Sequence, residues 1–357
     1  MPVFSAITRY ASFWTAHLIP LARPILDGNE LKYLTECIQT GYVTHAGRFE
    51  REFEQAFSKR FNTTAIATSS GTGALHLALL SLGIGHGDEV IVPSLTFGAT
   101  ASVVLAVGAK PVLVDVDPET FGLDQRKVLS YLNRKTRAII PVHLYGEDAG
   151  DFTQFGIPVI EDACESLGMV PIRGKMACFS FYGNKVITTG EGGMLCGDFG
   201  NAEDYRDGGF DAEYRNTIPG LNYRMSNLQA AVGLAQLERF DELLSARTRN
   251  AGLYAQNLPG KGKWLFVVET KDPVGLQRHL KENGVDSRPV FTPLHRSPAF
   301  RQYAKGRYLG AEKVWETGLC LPTGPHVSPQ QVQTITGLVH GFDELQHVAD
   351  GPRVRAA

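Results

Sequence analysis

Short runs of β-branched and aliphatic residues alternate with longer stretches of helical period between about residues 62 and 197. The runs 64–68, 89–93, 111–116, 137–142, 158–162, 177–181 and 193–196 predict seven strands. Several are apolar throughout rather than every second residue, as in strands covered on both faces. Helical patterns fill the gaps at 73–82, 96–107 and 124–133, so the pattern predicts a doubly wound α/β layer with a mostly parallel sheet. Residues 227–249 carry the helical period most strongly, through Leu228, Ala231, Val232, Ala235, Leu237 and Leu244, and predict one long helix leaving this unit. Beyond Leu258 the rhythm changes to a strand at 264–269, a helix at 273–283 stopped by Gly284, and proline turns at Pro289, Pro293 and Pro298. This second pattern predicts a smaller α+β unit, with residues 18–40 placed beside it.

The expected organisation is an extension at 1–18, a segment at 19–45 packing with the small unit and the active site, a large domain at 46–245, a small domain at 246–345 and a tail at 346–357. The first 18 residues are apolar and aromatic but lack a basic start and a cleavage site. They read as a non-secretory extension, either a surface helix or a misassigned start. Of the 357 residues 43% are apolar and 20% charged, the balance of an ordinary globular chain. The net charge of −2, from 35 basic and 37 acidic residues, offers no basic field for nucleic acid or an anionic membrane. No apolar run approaches the ~20 residues of a membrane span. Five scattered cysteines without a CxxC pair suit free thiols in a reducing, cytoplasmic setting, and no metal-ligand spacing is present.

Three segments carry chemistry. Ser69-Ser70-Gly71-Thr72-Gly73 stands between a predicted strand and a predicted helix. Its small residues suit a phosphate cup at a helix N-terminus, and equally a plain hydroxyl helix cap; it is neither a GxGxxG nor a Walker pattern. The strand 158–162 runs into Glu161-Asp162-Ala163-Cys164-Glu165. A carboxylate there lies on the ligand side of a parallel sheet and could hold the proton on a cofactor's pyridine nitrogen, or merely cap the next helix. Most telling is Phe179-Ser180-Phe181-Tyr182-Gly183-Asn184-Lys185, followed by Thr188-Thr189-Gly190-Glu191-Gly192-Gly193. A lysine just past a buried strand, in a loop rich in Gly, Thr and Asn, is suited to Schiff-base chemistry. His76 and His143 read as packed side chains rather than bases.

Taken together, these segments resemble the DegT/DnrJ/EryC1/StrS family of pyridoxal-phosphate sugar aminotransferases. Further matching segments are Pro93-Ser94-Leu95-Thr96-Phe97, Val114-Asp115-Val116-Asp117, Pro141-Val142-His143-Leu144-Tyr145-Gly146 and Gly220-Leu221-Asn222-Tyr223-Arg224-Met225-Ser226-Asn227. The likeness runs from about Ile19 to about Leu345. It implies a fold-type I transferase, with a large domain built on a mostly parallel seven-stranded sheet, a small α+β domain, and a homodimer sharing its active sites.

Carried over, Lys185 would bind pyridoxal 5'-phosphate covalently and shuttle the proton, Asp162 would pair with the pyridine nitrogen and Phe97 would stack on the ring. Gly71, Thr72 and Ser180 match phosphate ligands, and Asn222 matches a residue that reaches the neighbouring subunit's phosphate. Glu165 stands where the family often has Gln or His near the ring hydroxyl, which leaves its role open. The segments 41–47 and 288–295 resemble substrate loops, bringing in Tyr42, Thr44 and His295 beside a reading as ordinary turns. Arg224 could hold the donor's carboxylate or serve as a helix-start charge.

Lysine rather than histidine at position 185 points to transamination rather than dehydration. The loop around it most resembles members that pass the amino group of L-glutamate to C4 of a nucleotide-linked 4-keto-6-deoxy sugar, either GDP-4-keto-6-deoxymannose or dTDP-4-keto-6-deoxyglucose. Amination at C3 and dehydration are the alternatives. A non-catalytic regulator is disfavoured, since neither Lys185 nor Asp162 is missing.

Overall fold

The computed structural model describes residues 18–349, so the reading of the first 17 residues and of the last eight lies outside it. In chain order the elements are α1 (Glu30–Thr40), α2 (Arg48–Phe61), β1 (Ala65–Thr68), α3 (Gly71–Ser81), β2 (Glu89–Pro93), α4 (Ala99–Ala106), β3 (Lys110–Val114), α5 (Gln125–Tyr131) and β4 (Thr136–Ile139). There follow β5 (Ile160–Asp162), β6 (Met176–Ser180), β7 (Gly193–Gly197), α6 (Ala202–Arg206), α7 (Asn227–Glu238), α8 (Phe240–Ala255), β8 (Gly260–Lys261) and β9 (Phe266–Glu269). The last are α9 (Pro273–Glu282), β10 (Arg288–Pro289), α10 (Leu309–Thr317), β11 (Gly318–Leu321) and α11 (Pro329–Ala349).

All seven expected strands form, in the spatial order β3-β2-β4-β5-β6-β7-β1. Parallel bridges Ile139–Val159 and Val142–Asp162 join the two halves of this sheet. Strand β7 alone runs against its neighbours β6 and β1. A smaller antiparallel sheet, β10-β11-β9-β8, makes the second unit with α9 and α11.

Helix α2 shows why the large unit closes as it does. Phe49, Phe53 and Phe57 recur at four-residue spacing and form one buried stripe. On β6 and the residue just after it the period of two sends Phe179 and Phe181 toward that stripe, with ring centroids 5.7 Å from Phe57 and 5.4 Å from Phe53 respectively. Ser180, between them, lies on the wall of the cavity described below.

The single helix expected at 227–249 is instead two. At Arg239 the backbone leaves helical angles (φ −108°, ψ 14°), and its N–H bonds to Gln236 three residues back. Phe240 then inserts beside Phe61 at 5.4 Å, so the apolar stripe stays buried while the axis changes. Beyond the break α8 crosses from the large core to the small one, where Tyr254 packs on Phe266.

Residues 18–40 also differ from the expectation, dividing between two partners. Ile19 bridges Val285 and packs into the small core, whereas α1 lies on α7, with Cys37 in the large core.

Asp115 ties the two units together. Its buried carboxylate accepts hydrogen bonds from Gly310 N–H (3.0 Å) and Ala311 N–H (2.9 Å) at the start of α10, and from Lys127 Nζ (2.5 Å). A carboxylate at a helix N-terminus meets both orphan donors and the favourable end of the dipole. Asp115→Ala strands these donors, so we expect a loss of about 2–4 kcal/mol in urea unfolding with the secondary structure retained.

Candidate active site

A cavity of about 450 Å³ opens at the carboxyl ends of the parallel strands, the usual ligand position in such sheets. Alternation along β5 decides which acid enters it. Glu161 points away, accepting from the N–H groups of Arg173 (2.9 Å) and Gly174 (2.8 Å) and facing His143 Nε2 at 3.3 Å. Asp162 points in. Its oxygens accept from Thr100 Oγ1 (2.8 Å) and from Cys164 N–H (3.2 Å), so donors orient it with no ion-pair partner among the described residues.

The turn after β1 forms the helix cap and also reaches the cavity. Ser70 caps α3 by accepting from Gly73 N–H (3.0 Å), and Gly71 and Thr72 still line the cavity. As the first residues of a helix, their N–H groups have no intrahelical acceptor. Any Cβ on Gly71 would stand 2.7 Å from Cys164 Sγ and 2.9 Å from Ser180 Cβ, so this close approach admits only glycine. Together the helix terminus, Thr72 and Ser180 make a small polar pocket suited to an anion.

Lys185 closes a turn begun at Tyr182, whose carbonyl accepts from Lys185 N–H (2.9 Å). Its ammonium lies 3.4 Å from Glu165 Oε1 and 4.0 Å from the centroid of the Trp264 ring. Burial pushes the Glu165 carboxyl above the ordinary carboxylate range; Lys185 and the Tyr145 N–H, which donates to Oε2 at 2.9 Å, act in the opposite sense. Tyr145 reaches this position with a left-handed backbone (φ 55°) and is stacked between Trp264 and Phe291.

The structure thus gathers Gly71, Thr72, Phe97, Asp162, Glu165, Ser180 and Lys185 around one cavity. Phe97 stands on its rim, 60% exposed and 5.7 Å from Phe291. Four other expected residues lie outside the cavity. Tyr42 and Thr44 are exposed on a loop fastened by Asn227, which donates to the carbonyls of Tyr42 (Nδ2, 2.6 Å) and Thr44 (N–H, 2.8 Å). Asn222 is exposed and accepts from Arg224 Nε (3.3 Å), while Arg224 Nη1 approaches His45.

His295 is not brought to the cavity either. The Leu294 N–H docks on the Ser94 carbonyl (2.6 Å), which turns His295 onto the Tyr308 ring at 4.2 Å and toward Glu312. His76 and His143 are packed, the first on the Tyr223 hydroxyl and the second taking the Ala149 N–H on Nδ1. Trp264 and Arg288 are also on the cavity wall; Trp264 reads in the sequence only as the start of a strand, whereas Arg288 opens the segment 288–295 that resembles a substrate loop, of which His295 was the residue expected at the site. A tryptophan opening a predicted strand carries no local sign of a loop 80 residues earlier in the chain.

The sequence profile of the DegT/DnrJ/EryC1/StrS aminotransferase family matches residues 24–340. A GDP-perosamine synthase of Caulobacter vibrioides is 43% identical over 85% of this chain and 93% of its own length. One of Escherichia coli O157:H7 is 34% identical over 91% and 98%. A spore coat polysaccharide biosynthesis protein of Bacillus subtilis is 30% identical over 92% and 98%. Among solved structures, S. venezuelae DesV in complex with a ketimine intermediate superposes with a TM-score of 0.83 at 31% identity, covering 88% of this chain and 94% of that one. NtdA of Bacillus subtilis with bound cofactor PMP gives 0.81 at 29%, covering 88% and 81%.

The buried Glu165 makes stability depend on pH. With its folded value raised, its contribution is fully present below the ordinary carboxylate value of about 4.3 and is lost as pH rises through the raised one. Glu165→Gln should therefore gain stability relative to the parent from acid to neutral pH, read as the difference in thermal midpoint across a pH series; a difference that is flat or shrinks over that range contradicts the assignment.

Proposed function

The chain belongs to the DegT/DnrJ/EryC1/StrS aminotransferase family, and from that premise we propose that it is a pyridoxal-phosphate-dependent nucleotide-sugar 4-aminotransferase. L-Glutamate is the amino donor in this reading, and the acceptor is GDP-4-keto-6-deoxymannose, giving GDP-perosamine. One observation carries it: an amine (Lys185), a carboxylate held by neutral donors (Asp162) and a glycine-lined helix N-terminus (Gly71, Thr72) face a single cavity. Two relatives named GDP-perosamine synthase favour C4 chemistry and the guanine nucleotide.

The residues fit the cofactor. When bound, pyridoxal phosphate supplies a carbonyl that captures amines and a protonated ring that takes up the electron pair left when a C–H bond breaks. Gly71 and Thr72 N–H groups with the Thr72 and Ser180 hydroxyls would hold its phosphate. Asp162 would hold the proton on the ring nitrogen, and Phe97 would cover one face. Lys185 Nζ would be the attachment point and, once freed, the base that carries a proton between the substrate carbon and the cofactor carbon. Glu165, 3.4 Å away, keeps that amine in place.

The protein acts as a homodimer in this reading. The exposed Tyr42, Thr44 and Asn222 and the half-buried Arg224 would then face the partner's cavity, Asn222 meeting its phosphate and Arg224 the donor carboxylate. The five free cysteines suit the cytoplasm, and the similarity to a spore coat polysaccharide protein suits a product destined for surface glycan, a lipopolysaccharide O-antigen among the possibilities.

Lys185→Ala should lower turnover by about 10,000-fold or more and leave no borohydride-stable cofactor on the chain. Product mass after incubation with glutamate and either GDP-4-keto-6-deoxymannose or dTDP-4-keto-6-deoxyglucose checks the acceptor; amination of the dTDP sugar alone would overturn the GDP assignment. Shared sites also predict complementation. Mixing inactive Lys185→Ala with an impaired Asn222→Ala variant should restore about a quarter of parental activity through hybrid dimers with one intact site, and activities that merely average would contradict sharing.

A further inference from the structure

Arg247 lies in the middle of α8, 4% exposed, and no carboxylate is within ion-pair distance of it among the described residues. Burial without a counter-ion pushes its guanidinium down to about 10. Such a group is costly to hold inside a fold, and a well-packed apolar side chain of similar size would serve stability as well. Its contacts are all to oxygens near the lysine loop. Nη1 donates to the Trp264 carbonyl (2.6 Å) and to Thr323 Oγ1 (3.3 Å), and Nη2 donates to the carbonyl of Lys185 itself (3.3 Å).

Trp264 completes the arrangement. Its indole N–H donates to the carbonyl of Asn184 (2.8 Å), its ring lies 4.0 Å from Lys185 Nζ, and its own carbonyl accepts from both Arg247 and Thr323 Oγ1 (2.5 Å). Two consecutive carbonyls of the lysine loop, at 184 and 185, are thus each gripped by a residue from beyond the large sheet. The two gripping residues are bonded to each other. Gly183 on one side of this pair has open space around it and offers no side chain to fix the turn.

We propose that Arg247, acting with Trp264, is a positioning residue that sets the direction of the Lys185 side chain by bracing the loop backbone. The inference rests on the functional reading above, in which Lys185 is where the cofactor attaches. The brace fixes the backbone at 184–185, and the Trp264 ring and Glu165 then leave the ammonium one place to lie. Without the guanidinium the Lys185 carbonyl has no partner among the described residues, and the turn is free to rotate the amine away from the cavity.

The test follows attachment of added pyridoxal phosphate, trapped at intervals with borohydride and quantified as the modified Lys185 peptide by mass. Arg247→Met should fold with a thermal midpoint near the parent's. It should attach cofactor 10- to 100-fold more slowly, the scale expected when a reacting group is misplaced by about 1 Å. Its visible circular dichroism should be altered and its kcat reduced, with the KM for the sugar nucleotide little changed. Arg247→Lys, which can still reach one carbonyl, should recover part of the rate. Should Arg247→Met fail to fold, Trp264→Phe, which keeps a smaller aromatic ring but loses the indole N–H on the Asn184 carbonyl, should slow attachment in the same direction. If the parent traps cofactor on Lys185 and the folded variants match its rate and spectrum, the brace is refuted while the functional reading stands. If the parent itself traps none, the functional reading fails and the brace fails with it.

Discussion

The ammonium of Lys185 and the carboxylate of Glu165 sit 3.4 Å apart in the cavity wall, each the other's counter-ion. Much of the local structure is arranged to satisfy them. Glu165 needs a second donor and finds the N–H of Tyr145, which the chain presents in a left-handed conformation that a bulky residue adopts only when its surroundings require it. Tyr145 in turn is held between Trp264 and Phe291, its hydroxyl accepting from Phe291 N–H and its carbonyl taking the N–H groups of Lys263 and Trp264. The ion pair and the seam between the two units are therefore one construction.

Charge around the cavity is divided by environment rather than by number. Glu161 and Asp162 are adjacent acids with opposite duties, because one face of β5 meets backbone donors from 173–174 and the other meets the cavity. Arg288 lies on the cavity wall over the Phe291 ring at 4.9 Å, with no hydrogen-bond or ion-pair partner among the described residues. With Lys185 it makes the cavity receptive to anions, although the whole chain is close to neutral. Net charge reports solubility and long-range steering; recognition of a phosphate or carboxylate depends on a few groups held without competitors.

The fold was largely legible because burial imposes period on sequence. Seven apolar runs became seven strands, and the amphipathic stripes became helices. The failures fall where the period is blind. At Arg239 the stripe of 227–249 runs on without interruption while the axis turns, since a single residue bonded three back instead of four changes direction without moving the stripe off the core. Residues 18–40 carry apolar side chains that suit either unit, and only the contacts of Ile19 and of Cys37 separate them.

The site divides along the same line. Lys185, Asp162 and the Ser-Gly-Thr turn were readable because each sits at a strand end or in the loop just beyond one, where local chemistry and short spacing carry the signal. The sequence by itself determined the α/β class, the strand ends that could bear a ligand and the residue types available there. Only the tertiary structure decided that Asp162 rather than Glu161 faces the cavity and that Ser70 caps a helix whose next two residues line it. It also decided that His295 packs on Tyr308, and that Arg247 and Trp264 grip a loop 62 to 80 residues earlier in the chain. Those choices depend on which surfaces meet across long separations, and no periodicity within one segment encodes what will be packed against it.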